Sequence, residues 1–228
     1  MDVYVTEEQQ LEAMKKWWQT NGTSVVVGIV VALIAVLGWQ YWKSSSRESG
    51  EAAAGLYSQM MDAANLMEQD RTDNKTKDLS AQVATFKHLG EQIKDGYSST
   101  EYATFASLML AKDMVLNNKL DEAIKELKWA KEHARSDGVK LIANLRLARA
   151  LAANKDYDAA LKQLDSLKPG AQEDSYEEVR GDIYVQQGKL EKAREAYQQA
   201  MLLSAEQNGG NPRPILKIKH DNLLVADK

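Results

Sequence analysis

Between Lys16 and Lys43 the chain carries no charged side chain, and across residues 25–37 every residue is apolar or Gly. No other stretch restricts the possible folds so severely. A run of this kind must satisfy its backbone within itself, as a helix. At about 1.5 Å per residue, the stretch 24–41 rises roughly 27 Å, enough for a thin bilayer core. Trp17 and Trp18 precede the run, and Trp39, Tyr41 and Trp42 end it. Such amphipathic rings are suited to anchoring at the two headgroup interfaces. A buried helix of a soluble protein and a cleaved signal segment are the alternatives. A signal segment begins with basic residues, whereas this chain begins with Asp2, Glu7, Glu8 and Glu12. Residues 24–42 are therefore expected to form one permanent transmembrane helix in contact with the lipid bilayer. Its direction stays open, because Lys15 and Lys16 on one side face Lys43 and Arg47 on the other.

The residues beyond that helix are numerous enough for one globular domain. The mean hydropathy of the 228-residue chain is −0.49 despite the apolar run, so the remainder must be soluble. Many Ala and Leu residues, with only two Phe and three Pro, favour helices over sheet. A net charge of −4 and a pI near 5.5 leave no basic surface for nucleic acid. Cysteine is absent, which excludes disulfides, thiolate catalysis and Cys-zinc sites.

Residues 1–23 read as an amphipathic lead-in, with Thr6 and Gln9 in capping-box positions and Leu11, Met14, Trp17 and Trp18 on one face. Residues 43–50, KSSSRESG, are polar and read as a linker. Two helices follow within 51–97, one through Leu56, Met60 and Met67, the other through Phe86, Leu89 and Ile93. The polar stretch 69–77 joins them into a hairpin.

Beyond Thr104 the chain repeats itself. The segments NKLDEAI, KDYDAAL and GKLEKAR align on Ala123, Ala160 and Ala193, at intervals of 37 and 33 residues. The resulting frames are 104–137, 141–174 and 174–207, with an insertion at 138–140. Small residues recur at Ala111, Ala148 and Gly181, and bulky ones at Met114, Leu151 and Tyr184. Leu127, Leu164 and Tyr197 recur across the turn, and Leu110 and Leu147 are matched anomalously by Arg180. This order and a period near 34 define tetratricopeptide-like repeats, helix pairs whose apolar faces are buried by stacking. The expected fold is all-α: one N-terminal transmembrane helix, then a helical-repeat solenoid over 51–207. Residues 208–228 add a capping helix from Pro214, which Ile215, Ile218, Leu223 and Leu224 are expected to seal.

Nothing in the chain assembles into a catalytic site. His88, His133 and His220 each stand alone, without a partner at ligand spacing, and no nucleotide, hydrolase or metalloprotease motif occurs. No catalytic, metal-binding or cofactor-binding residues are expected, and the chain reads as a non-enzyme. What remains is the concave groove that the first helix of each repeat lines. Its expected residues are Phe105, Leu108 and Lys112, then Ile142, Leu145 and Arg149, then Glu178, Asp182 and Val185. Apolar residues with charges of both signs suit an extended or unfolded polypeptide. Phe105, Leu108, Ile142 and Leu145 could equally be covered by the hairpin. Arg180 is expected to pair with Asp182 or another nearby carboxylate, since an unpaired buried Arg is costly.

Several residues lie outside what the repeat demands. They include Glu12-Ala13 with Lys15, Asn21-Gly22, the exit Gly38-Trp39-x-Tyr41-Trp42, the run Asn144-Leu145-Arg146-Leu147-Ala148-Arg149, Arg180-Gly181 and Asn222-Leu223. In these the chain resembles the ancillary subunits of the bacterial SecYEG translocon, the YfgM family. The resemblance implies a single-pass type II protein of the inner membrane, with a cytoplasmic N-terminus and a periplasmic repeat domain. It further implies association with the Sec channel and a membrane-anchored, isomerase-like periplasmic chaperone. The implied role is passing emerging polypeptides to the periplasmic chaperone network, with an influence of residues 1–23 on an envelope-stress response regulator. The alternative is a scaffold for another envelope complex.

Overall fold

The computed structural model describes residues 7–72 and 79–225, and over these it is built from helices alone. They are α1 (Glu7–Thr72), α2 (Ser80–Gly96), α3 (Glu101–Leu116), α4 (Leu120–His133), α5 (Asp137–Ala153), α6 (Tyr157–Asp165), α7 (Glu173–Gln186), α8 (Leu190–Gln207) and α9 (Pro214–Val225). A 3-10 turn at Gly170–Gln172 precedes α7. The chain divides into two compact units, Met1–Glu51 and Ala52–Lys228, and α1 contributes to both.

In the first unit, large apolar side chains between Leu11 and Trp42 lie exposed around the helix. A helix that is apolar on every face is matched to lipid and not to water. Its most apolar stretch has a mean hydropathy of 2.3, and among the described residues it is the one helix long and apolar enough to cross a membrane. Trp17, Trp18, Trp39, Tyr41 and Trp42 are all exposed. Trp39 and Trp42 pack ring on ring at 5.4 Å, and the Trp18 indole lies over Gly22.

Residues 43–50 are helical, in contrast to the linker expected from their polarity. Polarity by itself does not end a helix; a breaker does, and this stretch has no Pro. Arg47 donates to Glu51 at 2.8 Å and Ser44 to Glu48 at 3.5 Å, both pairs one turn apart and compatible with continued winding. The Thr6 cap lies outside the described residues. Residues 69–72 end α1, and the rest of the expected polar loop lies outside the described residues too.

In the second unit, three clusters form the core. Residues 52–72 of α1 share one with α2 and α3, through Met60, Met67, Phe86, Leu89, Ile93, Ala106 and Leu110. The largest, centred on Leu127, Leu147, Ala148, Leu164, Tyr176 and Ile183, joins α3 to α7. The third packs Ala193 and Tyr197 against Leu223 of α9.

The repeats are stamped in the backbone as well as in the side chains. Asn118, Lys155 and Gly188 all adopt positive φ, at 56°, 65° and 73°. After each, the N–H of Lys119, Asp156 or Lys189 donates back to the carbonyl of Met114, Leu151 or Tyr184, at 2.8–2.9 Å. This is the Schellman closure, in which the left-handed residue lets the chain satisfy the last carbonyls of one helix before the next begins. The bulky repeat position therefore supplies the carbonyl that closes the turn.

The small positions are contact points. A Cβ added at Gly181 would lie 2.5 Å from the Tyr197 ring, far inside van der Waals contact. Buried polar groups at successive repeat positions tie first helix to second. The Ser107 hydroxyl donates to the Glu126 carbonyl at 2.9 Å, and the Asn144 amide donates to the Gln163 carbonyl at 2.8 Å and to the Tyr176 hydroxyl at 3.2 Å. Tyr176 in turn donates to the Leu141 carbonyl at 3.0 Å, so α5 and α7 are bound by a satisfied buried network. The expected insertion at 138–140 is helical. It forms the first turn of α5, where the Ser136 hydroxyl accepts from the Val139 N–H.

In α9 the buried residues are Leu216 and Leu223, whereas Ile215 and Ile218 are exposed, so the expected sealing face is rotated. Leu224 has no described side chain. Lys219, on the same helix, points toward α7, where it donates to Glu178 and Asp182.

Candidate partner-binding groove

The groove positions of the three repeats fall on α3, α5 and α7, and the structure gives them different fates. Between α3 and α5 lies a cavity of about 500 Å³, with walls formed by Leu108, Ala111, Val115, Leu116, Leu127, Ala150 and Ala153. Its remaining residues are Lys112, Arg146 and Arg149, all exposed. The space exists because Ala111, Ala150 and Ala153 are too short to fill the gap that longer side chains would close.

Of the nine expected groove residues, Leu108, Lys112 and Arg149 are brought together here. Leu145 is buried in the core, and Ile142 is exposed away from the cavity. Phe105 is covered: its ring packs at 6.1 Å from Tyr57 of α1 and 6.4 Å from Tyr102. The hairpin thus partly covers one of these positions through Tyr57.

Glu178 and Asp182 are not part of an open groove. Asp174, Glu178 and Asp182, spaced one turn apart, form an acidic stripe along α7, and α9 lies against it. Arg213 is ion-paired with Asp174 and Glu178, both at 2.9 Å. Lys219 donates to Glu178 and to Asp182 at 2.7 Å, and the Tyr197 hydroxyl donates to Asp182 at 2.7 Å. Burial pushes the Glu178 carboxyl up, but its contacts with Lys219 and Arg213 outweigh this and hold it below the usual range. The Tyr197 hydroxyl moves far up, through burial first and then its bond to Asp182.

Arg180 is paired, though with different carboxylates from Asp182. It meets Asp165 of α6 at 2.8 Å and Glu177 at 3.1 Å. Burial lowers its affinity for the proton, and these two acids more than compensate. His133 stacks on Trp129 at 3.9 Å, His220 faces Asp221 at 3.4 Å, and His88 is exposed. Among the described residues, no group of three or more His, Asp or Glu is placed to hold a metal ion.

Repeat reasoning placed Lys112 and Arg149 in the groove but missed Arg146, Ala150 and Ala153. It also missed that Arg213 and Lys219 would seek the acidic stripe. The i, i+4, i+8 spacing of Asp174, Glu178 and Asp182 was a legible signal, since like charges one turn apart repel and nearby cations relieve them.

An anchored helix followed by stacked helix pairs with an open concave face defines a helical-repeat interaction protein. The profile of the tetratricopeptide repeat-like domain family matches residues 15–225. A curated relative from Aggregatibacter actinomycetemcomitans, an ancillary SecYEG translocon subunit, is 31% identical over 96% of this chain and 98% of its own. A relative of the same name from Escherichia coli K12 is 29% identical over 62% of this chain and 61% of its own. Another from Neisseria gonorrhoeae is 25% identical over 98% of this chain and all of its own. The chain belongs to this tetratricopeptide repeat-like family of ancillary SecYEG translocon subunits.

Proposed function

We propose that this protein is a non-enzymatic, single-pass inner-membrane adaptor of the SecYEG translocon. Its repeat domain stands in the periplasm and its N-terminus in the cytoplasm. The observation that carries this reading is full-length similarity to ancillary translocon subunits, joined to an apolar helix and an open repeat groove. In this role the anchor fixes where binding occurs, and the groove engages polypeptide emerging at the membrane. A membrane-anchored, isomerase-like chaperone receives that polypeptide next, and residues 1–23 bear on an envelope-stress response regulator. Affinity purification from detergent extract tests the role. Recovery of the Sec channel together with an anchored periplasmic chaperone is expected; recovery of neither, from intact membranes, overturns it. Site-directed crosslinking through residues 15–50 then separates channel contacts from contacts of the repeat domain.

A further inference from the structure

We propose that the cavity between α3 and α5 receives a short acidic amphipathic segment of a partner protein. The proposal rests on the groove reading above and gives its partner a chemistry. The acidic third of the face, on α7, is already paired within the chain with Arg213 and Lys219. The open part therefore presents charge of one sign. Arg146 and Arg149 project from α5 and Lys112 from α3, and among the described residues none of the three has a carboxylate within ion-pairing distance. Asp113, next to Lys112, is engaged by the Asn117 side chain at 3.0 Å. Lys112 also borders a smaller hollow of about 60 Å³ that Glu68 and Asp113 line, so Arg146 and Arg149 are the less compensated pair. Beneath these cations the floor is apolar, formed by Leu108, Val115, Leu116 and Leu127.

Apolar depth with unpaired cations at the rim matches an occupant with apolar side chains on one face and carboxylates beside them. From Leu108 to Leu116 the trough runs roughly 12 Å, about two helical turns. An acidic segment gains Coulombic attraction at the rim while its Leu-like residues fill the floor. A basic segment of the same shape meets like charge.

The test uses the full chain in nanodiscs of neutral lipid and two fluorescent 16-residue amidated peptides. Both carry Leu at i, i+3, i+4 and i+7 spacing; the polar positions are Glu in one and Lys in the other. The Glu peptide is expected to bind at least tenfold more tightly. The double variant Arg146→Glu, Arg149→Glu, both at exposed positions, is expected to reverse that order with helical content unchanged. Ala153→Trp, which fills the trough without altering charge, is expected to weaken the Glu peptide about tenfold. Equal binding of both peptides, or an unchanged order in the double variant, overturns the proposal. Displacement of the peptide by anionic lipid in the disc, or by excess unlabelled protein, assigns the trough to headgroups or to a second copy and overturns it as well. Because the assay contains no translocon, failure here leaves the adaptor role to be judged by the purification experiment alone.

Discussion

The first two repeats and the third use the same positions to opposite ends. In α3 and α5 the groove positions Leu108, Lys112 and Arg149 border an open cavity. In α7 the equivalent positions are Glu178 and Asp182, joined by Asp174, and they are paired with Arg213, just before α9, and with Lys219 of α9. The repeat scaffold is the same in both, down to the left-handed residue of each turn. The difference shows that a repeat position specifies geometry, while its side chain decides whether the chain fills its own groove or leaves it for a partner.

The sharpest way to break that comparison is at the small contact position. Gly181→Ala is expected to cost about 2–3 kcal/mol, because its methyl would collide with the buried Tyr197 ring. Ala148→Gly, the reciprocal change in the second repeat, is expected to cost about 1–2 kcal/mol from helix propensity and a lost buried methyl. Denaturant unfolding of the two variants measures both. Equal losses would mean that the third repeat is no tighter than the second.

Next in size is the clasp of α9. Glu178→Gln is expected to cost about 1–2 kcal/mol, below the usual loss for breaking a buried ion pair because Arg213 and Lys219 are partly solvated. Arg149→Gln, at the matching face of the open groove, is expected to stay within about 0.5 kcal/mol. Hydrogen exchange would locate the Glu178 effect in α8 and α9.

The same clasp sets a pH dependence. Glu178 is held below its ordinary value of 4.5 in the folded chain, so its contribution is fully present above that pH. It declines as pH falls through the lower folded value, where carboxylate becomes carboxylic acid. The difference in unfolding midpoint between the parent and Glu178→Gln is therefore expected to be constant from pH 7 to 5 and to shrink below about 4.5. A difference that grows in acid would assign the clasp to another group.

The smallest effect lies in the turns. Lys155 holds a left-handed conformation that Gly188 adopts freely in the third repeat. Lys155→Gly is expected to raise stability by about 0.5 kcal/mol, the strain relieved less the extra entropy of the unfolded chain. Thermal unfolding resolves the sign, and a loss would mean that the Lys155 side chain makes a compensating contact.

Much of this was written in residue order. The apolar run, the alignment on Ala123, Ala160 and Ala193, and the small-then-bulky rhythm give the helical-repeat class, because periodic burial leaves a periodic trace. The helix through 43–50 was not legible, since its polarity and Gly50 read as a break although no Pro stands there. The partial covering of Phe105 by Tyr57 was left undecided, because whether the hairpin covers a groove position depends on a contact between residues 48 positions apart.

The sequence by itself determined the apolar helix and the repeat, both of which follow from local pattern and helical geometry. Only the tertiary structure decided which part of the groove is open. That choice depends on where the C-terminal segment comes to lie, and Arg213 and Lys219, remote in sequence from α7, meet the acidic stripe only in the packed fold. Charge pairing across such distances is set by folding, and no periodicity announces it.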